Sequence, residues 1–326
     1  MDPIIDISQL TMRFRRCHAL RGVDLTIPAG TVFALLGENG AGKTTMIRIL
    51  TGFQKPTSGT CRACGLDPTR DAQQIRRRIG YVSDSPPLYD WMTVSQIGGF
   101  AGSFYENSFW PTYEDLCKRY QIQMDQKVKH LSKGQRAKVA LSLALAHDPE
   151  LLIMDEPTSG LDPKVRRNFL ESMIDRAATG RTVLLSSHQI NEVERVADHI
   201  AILHQGKIRL VGALDTIRAS IQQVTINLDD PLRTIPTFSS GAEVLSEERS
   251  GRSVQMYLQD SQPNDMAQLR DLSGVVSVNH RQATLEEIFV ACTTDDGPSF
   301  GQHTKPYDEQ ELGDTETHDA LWASSR

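Results

Sequence analysis

The sequence predicts an α/β fold, with a mainly parallel sheet covered by helices and a small α+β domain after it. Three observations carry this expectation. A Gly-rich stretch, Gly37 to Thr44, stands between a strand-like run and a helix-like one. Further on, LLIMD (151–155), TVLLSS (182–187) and HIAIL (199–203) are short β-rich runs separated by helical stretches at 163–179 and 189–197. Strands alternating with helices of that length argue for parallel pairing. After Gly212 the texture changes to strand-like runs separated by polar segments and two helices.

In chain order, residues 4 to 36 read as the strands IIDISQL, VDLTI and TVFALL, with Pro28-Ala29-Gly30 as the turn between the last two. GENGAGKTTMIRILTG runs from loop into helix, and Gly52 can close that helix. GTCRACGL reads as a short strand. Its Cys61 and Cys64 form one CxxC without a second pair or a His cluster at zinc spacing, so no metal site is expected there. From Trp91 to about Tyr120 the pattern is helical with aromatics. KGQRAKVALSLALAHD follows, apolar on nearly every side from Val139 to Ala146, as suits a helix buried between other elements. ALDTIRASIQQ reads as a helix, then VTINL, SVQMYL and VVSVN as strands, with helices near 264–271 and 284–292. The expected division is residues 1–222, containing a helical subdomain at about 85–148, then a small domain at 223–292 and an acidic, disordered tail at 293–326.

Composition narrows the class. A chain of 326 residues suits two units. Hydrophobic residues at 39%, charged residues at 23% and a mean hydropathy of −0.35 are ordinary for a soluble globular protein. No apolar run approaches the roughly 18 to 20 residues that span a bilayer, and MDPIIDISQL lacks the basic-then-apolar pattern of an export signal. The expectation is a chain neither secreted nor membrane-spanning, with its five cysteines as reduced thiols in a cytosol. From Thr293 to Arg326 there are eight acidic and two basic residues, so this tail carries the whole net charge of −6. The remainder is balanced, and no nucleic-acid partner is expected.

Gly37-Glu38-Asn39-Gly40-Ala41-Gly42-Lys43-Thr44 matches GxxxxGK[ST] in the strand-to-helix setting that motif requires. Glycines let backbone amides converge on phosphate oxygens, and the helix start adds about half a positive charge. Lys43 brings a point charge to the outer phosphates and the Thr44 hydroxyl can hold Mg²⁺, so a nucleoside triphosphate and Mg²⁺ are expected. Asp155 ends an apolar strand and is followed by Glu156 and Pro157. Ligands collect beyond the carboxyl ends of parallel strands. There Asp155 would hold Mg²⁺ through water and Glu156 would polarise the water that attacks the γ-phosphorus. Read alone, Asp-Glu-Pro is equally a polar strand end. Leu131-Ser132-Lys133-Gly134-Gln135 opens the buried helix, where Ser132 reads as an N-cap, and a helix start with Ser and Gly is also an anion site.

LSKGQ, then LLIMDEP sixteen residues after Gln135, then SGLD and SSH, taken with the phosphate motif over about residues 4 to 212, resemble the ATP-binding cassette (ABC) family, whose signature is usually LSGGQ. The resemblance implies a P-loop NTPase with a RecA-like, mainly parallel sheet, an antiparallel β subdomain and a helical subdomain. It implies that Phe14 stacks on adenine, a core Phe being the other reading, and that Gly37, Asn39, Gly40, Ala41, Gly42, Lys43, Thr44 and Thr45 surround the phosphates. Ser132, Gly134 and Gln135 would face the nucleotide held by a second copy. Asp162, within Ser159-Gly160-Leu161-Asp162, would cross the dimer interface, although its place before Pro163 also makes it an N-cap. His188 matches the histidine that contacts the γ-phosphate, with a structural histidine as the alternative. The implied catalytic set is Glu156, His188 and Lys43, and the implied Mg²⁺ set is Thr44, Asp84 and Asp155. Two ATP molecules would close a dimer that hydrolysis releases. The implied partners are a second ATPase subunit and a transmembrane permease subunit, with this chain peripheral on the cytoplasmic side of the cell membrane.

Two positions depart from the family pattern. Lys133 stands where Gly is usual, which adds a charge and leaves Ser132 and Gly134 to meet the nucleotide. Asp84 stands where the family has a Gln that links Mg²⁺ to the membrane partner, and Asp can also meet Mg²⁺ or its water. Residues 84–105, with Pro86, Pro87, Trp91 and Phe100, are the candidate docking surface for that partner. ATLEEIFVACT (283–293) resembles the close of an extra C-terminal domain in ATPases of exporters whose membrane subunits are separate polypeptides, among them antibiotic-resistance and lipid or polysaccharide exporters. The alternative is an ABC ATPase acting on nucleic acid or ribosomes. Such proteins usually carry a long coiled-coil insertion or two cassettes in one chain, and this sequence has one cassette and no sustained heptads. LSKGQ and SSH have no place in a P-loop kinase or GTPase, and Glu156 argues against a regulator that takes up ATP without turnover.

Overall fold

The computed structural model describes residues 2–105, 108–235, 238 and 240–294. Of the tail expected from Thr293, everything beyond Thr294 lies outside the described residues.

The chain opens with a long antiparallel pair, β1 (Ile5–Phe14) and β2 (Cys17–Ile27). β3 (Val32–Leu36) is wholly buried and runs through the phosphate motif into α1 (Lys43–Leu50). β4 (Ser58–Ala63) returns to β1 and completes a three-stranded antiparallel sheet. α2 (Ala72–Arg78) passes without a turn into β5 (Ile79–Ser83). A helical arm follows, α3 (Val94–Gly102) and α4 (Phe109–Arg119), and returns through α5 (Lys133–Leu145). Tyr113 ties this arm together, because its hydroxyl donates to the Val94 carbonyl at 2.9 Å.

Strands and helices then alternate as β6 (Leu151–Asp155), α6 (Pro163–Ala178), β7 (Thr182–Ser187), α7 (Ile190–Val196) and β8 (His199–His204), before the return strand β9 (Lys207–Ala213). The central sheet has the order β5-β6-β7-β3-β8-β9, parallel except for β9. Its inner strands are continuous apolar runs because both faces are covered. In β3, Val32, Ala34 and Leu36 pack into the core shared with α5, α6 and α7, while Phe33 and Leu35 face the core shared with α1 and the antiparallel sheet. That division follows from the two-residue period of a strand.

The remainder is α8 (Leu214–Ser220), β10 (Ile221–Leu228), β11 (Glu243–Ser250), β12 (Ser253–Gln259), α9 (Pro263–Asp271), β13 (Val275–Gln282) and α10 (Leu285–Thr293). Its four strands form a separate antiparallel sheet, β11-β12-β10-β13, over a small core that includes Val224, Ile226, Met256 and Leu269. α10 lies outside that small core: its Leu285, Ile288, Ala291 and Cys292 are buried in the core of the central sheet, which also takes in Leu245 of β11 and Tyr257 of β12. Three strands are absent from the sequence reading: β5, β9 and β11. β5 follows helix α2 with no punctuating Gly or Pro, and β11 is largely exposed and polar.

Cys61 and Cys64 are buried beside β1, and burial pushes both thiols up to about 12, which keeps them protonated. No helix among the described residues is long and apolar enough to cross a membrane.

Candidate active site

The phosphate loop is built by close approach. A Cβ at Gly37 would sit 2.5 Å from the Leu203 carbonyl oxygen, so only glycine lets the loop pass β8. Gly42 precedes α1 at φ 115, a left-handed conformation, and a Cβ there would meet the Ala19 carbonyl oxygen at 2.6 Å. α1 has no side-chain cap and no acidic residue in its first turn, so its opening amides keep their partial positive charge for an anion. Lys43 is buried beneath the loop, donating to the carbonyls of Gly37 at 2.6 Å and Glu38 at 3.2 Å.

The register of four parallel strands gathers the remaining chemistry at one edge. Ser83 of β5 pairs with Asp155 of β6, Asp155 with Ser186 of β7, and Ser187 with Leu36 of β3. Asp84, Glu156, His188 and Gly37 therefore leave adjacent strands side by side. Asp155 is buried and its Oδ1 accepts from the Ser186 hydroxyl at 2.6 Å. Glu156 takes a left-handed backbone at φ 50, a conformation that costs on the order of 1–3 kcal/mol for a residue with a Cβ. The Glu156 amide donates to the Ser186 carbonyl at 3.1 Å, which helps to hold that backbone. Its carboxylate is shared, with Oε1 lying 3.2 Å from Lys43 Nζ and Oε2 lying 2.7 Å from His188 Nδ1.

A cleft of about 260 Å³ opens over this edge, lined by Phe14, Cys17, Ala19, Glu38, Asn39, Gly40, Gly42, Lys43, Thr44, Thr45 and Glu156. Phe14 is 48% exposed and so is not a core residue. Gly37 and Ala41 lie buried and do not line the cleft. Cys17 and Ala19 line it although the sequence reading named neither, and Glu38, which entered there only as a motif position with no role, lines it too. Only the pairing of β1 with β2 places Cys17 opposite Phe14.

The signature segment stands apart. Ser132 caps α5 in a reciprocal box, its amide donating to Gln135 Oε1 at 2.9 Å and its Oγ accepting from the Gln135 amide at 3.2 Å. Asp162 caps α6 by accepting from the amides of Lys164 and Val165, both at 3.0 Å. Gly134 is held against α6, where a Cβ would meet Val165 at 3.0 Å. None of Ser132, Gly134, Gln135 and Asp162 lines the cleft over Lys43. Exposed Asp84 faces a second cleft, of about 270 Å³, with Ser85, Pro86, Lys133, Arg136, Ala137, Pro157 and Leu161.

Beside it, Pro86 and Pro87 line a groove with Phe53, Tyr81, Leu88, Tyr105, Leu143 and His147. Trp91 is 66% exposed, and Phe100 makes edge contacts with Tyr89 at 5.9 Å and Phe104 at 5.4 Å. This is a contiguous aromatic surface of the kind that marks an interaction site.

Known proteins agree with this architecture. The family model for the ABC transporter matches residues 20–159. The ABC transporter ATP-binding protein NatA of Bacillus subtilis is 36% identical over 215 residues, 64% of this chain and 87% of that protein. A Nod factor export ATP-binding protein I from Burkholderia lata is 31% identical over 298 residues, 89% of this chain and 96% of that protein. A solved ATP binding subunit of an ABC transporter matches with a TM-score of 0.62 at 30% identity, covering 66% of this chain and 92% of that one. With a P-loop between β3 and α1 of a mainly parallel sheet, and with this likeness along most of its length, the chain belongs to the ABC transporter family, as an ATP-binding and ATP-hydrolysing subunit.

Proposed function

We propose that this chain powers export through a separate transmembrane permease subunit, as one of two ATPase subunits closing on ATP at the cytoplasmic face of the cell membrane. The observation that carries the reading is the meeting of Lys43, Glu156 and His188 at the edge of the central sheet. In this reading Phe14 stacks on adenine, and the amides from Asn39 to Thr45 cradle the phosphates. Lys43 exchanges the carbonyls of Gly37 and Glu38 for outer phosphate oxygens. Glu156 accepts a proton as water attacks the γ-phosphorus, the bond to the β,γ-bridging oxygen breaks, and ADP leaves with that electron pair. His188, held by Glu156 Oε2, steadies the γ-phosphate.

Thr44, Asp155 and Asp84 offer the hard oxygen donors that Mg²⁺ takes, and the buried, Ser186-held carboxylate of Asp155 fits a metal approached through water. When bound there, Mg²⁺ would neutralise charge on the β- and γ-oxygens.

The second half of the nucleotide site would come from another copy. Two features support this: the signature residues do not line the Lys43 cleft of their own chain, and Ser132 Oγ, accepting from Gln135, still has an O–H to donate to a phosphate. Asp162 would stand at that interface. The exporter assignment draws on the Nod factor export relative, whose likeness extends past residue 222 into the small domain at 223–292. The aromatic surface around Trp91 is the proposed dock for the permease. Glu156→Gln protein held in ATP and Mg²⁺ should form a dimer by light scattering and retain a hydrophobic polypeptide when purified from membranes. A strictly monomeric protein under those conditions, with the permease also supplied, would overturn the dimer reading.

A further inference from the structure

We infer that Thr158 and Glu192 form a buried clamp that positions Glu156 against His188. The inference rests on the ATPase reading of the site.

Glu156 and His188 stand on different segments, which leave β6 and β7 respectively. Their direct contact is a single pair of atoms 2.7 Å apart, on side chains that are 17% and 44% exposed. A second tie joins the same two segments. Thr158 lies two residues beyond Glu156 and is 2% exposed, and Glu192 lies four residues beyond His188 and is 4% exposed. The Thr158 hydroxyl donates to Glu192 Oε2 at 2.6 Å. Arg166 of α6 brings its Nε to 3.0 Å from Glu192 Oε1.

Each end of the tie is locked to its catalytic neighbour through the backbone. The Ser159 amide donates to the Glu156 carbonyl and the Leu161 amide to the Thr158 carbonyl, which folds Glu156 to Leu161 into one turn. On the other side the Glu192 amide donates to the Gln189 carbonyl at 3.1 Å, and the Gln189 amide donates to Ser187 Oγ at 2.9 Å, which holds the turn that carries His188. A buried carboxylate is a poor choice for stability, since an apolar side chain of similar size would serve a core at least as well. What the trio of Thr158, Glu192 and Arg166 adds is direction. It sets one register between two strand ends, one carrying the half-buried Glu156 and the other the exposed His188. Thr158 and Glu192 are positioning residues, and neither lines the cleft over Lys43.

The test uses the full chain. Mg²⁺-ATPase kinetics would be measured for Thr158→Val, Thr158→Ser and Glu192→Gln, with Glu156→Gln alongside and circular dichroism on each. Thr158→Val and Glu192→Gln should lower kcat by about 10- to 100-fold, the scale of a small misplacement of reacting groups. KM should stay within about twofold, because the nucleotide cradle is untouched. Thr158→Ser should recover most of the lost rate, and the double variant Thr158→Val/Glu192→Gln should be no slower than either single one, as for a coupled pair. Wild-type kcat in Thr158→Val, a Thr158→Ser variant as slow as Thr158→Val, or unfolding of both Thr158→Val and Glu192→Gln would each overturn the clamp; the last would make the contact a support of the core. A Glu156→Gln variant with normal turnover would instead remove the catalytic reading itself.

Discussion

Two helices begin at the proposed nucleotide site, and they begin in opposite ways. α1 opens on Gly42 at φ 115, uncapped, while α5 opens on Ser132 with a reciprocal capping box to Gln135. Open amides at a helix start ordinarily weaken it. α1 tolerates them because Met46, Ile47, Ile49 and Leu50 are buried, so tertiary packing stabilises what its own ends do not. α5 is finished locally and can offer only what its cap leaves over, the Ser132 hydroxyl proton and the amides of Lys133 and Gly134. In the proposed function, one phosphate-binding surface would be made by omitting a cap and the other by completing one.

Substitutions around the two helix starts test that contrast. The largest effect should come from Glu156→Gln, which faces the uncapped helix: steady-state ATPase activity should fall by about 10²- to 10⁴-fold while nucleotide binding persists. Unimpaired turnover would take Glu156 out of the mechanism. Lys43→Ala removes the one cation at the start of α1, and calorimetry should report nucleotide affinity at least about tenfold weaker, the scale of a charge-assisted hydrogen bond. Unchanged affinity would contradict the phosphate-loop assignment. Ser132→Ala strikes the capped helix instead. Urea unfolding should show a loss of about 1 kcal/mol, the usual worth of a side-chain cap, with nucleotide affinity of the monomer unaltered. A change in monomer affinity would contradict the separation of the two half-sites. Smallest of all, Lys133→Ala should shift stability by no more than about 0.5 kcal/mol, since the side chain is exposed, and melting temperature would reveal any larger role.

Much of the site was legible because its chemistry is written in local spacing. GENGAGKT announces a loop between strand and helix, DEP marks a strand end, and LSKGQ carries both Ser132 and the Gln135 that completes its box. The strands β6, β7 and β8 appear in the structure at the residues their apolar runs suggested, β8 longer by one. Illegible were elements whose signal is not local. β11 reads EVLSEERS, polar along most of its length, and is a strand because β12 pairs with it. Thr158 and Glu192 are 34 residues apart, and no periodicity joins them.

The order of residues alone set which backbone conformations and side-chain types were available: glycines where the loop must pass β8, a lysine and a threonine at the start of α1, acids at the end of an apolar strand. What those groups face was settled by packing in three dimensions. The parallel register brought Asp84, Glu156 and His188 to one edge, and packing turned Glu156 into a left-handed conformation between Lys43 and His188 and buried α10 in the core of the central sheet, where Leu245 of β11 also lies. The physical reason is range. Capping, turns and strand period act over a few neighbouring residues, whereas burial and ion pairing depend on distance in space, which the chain sets only when its layers close.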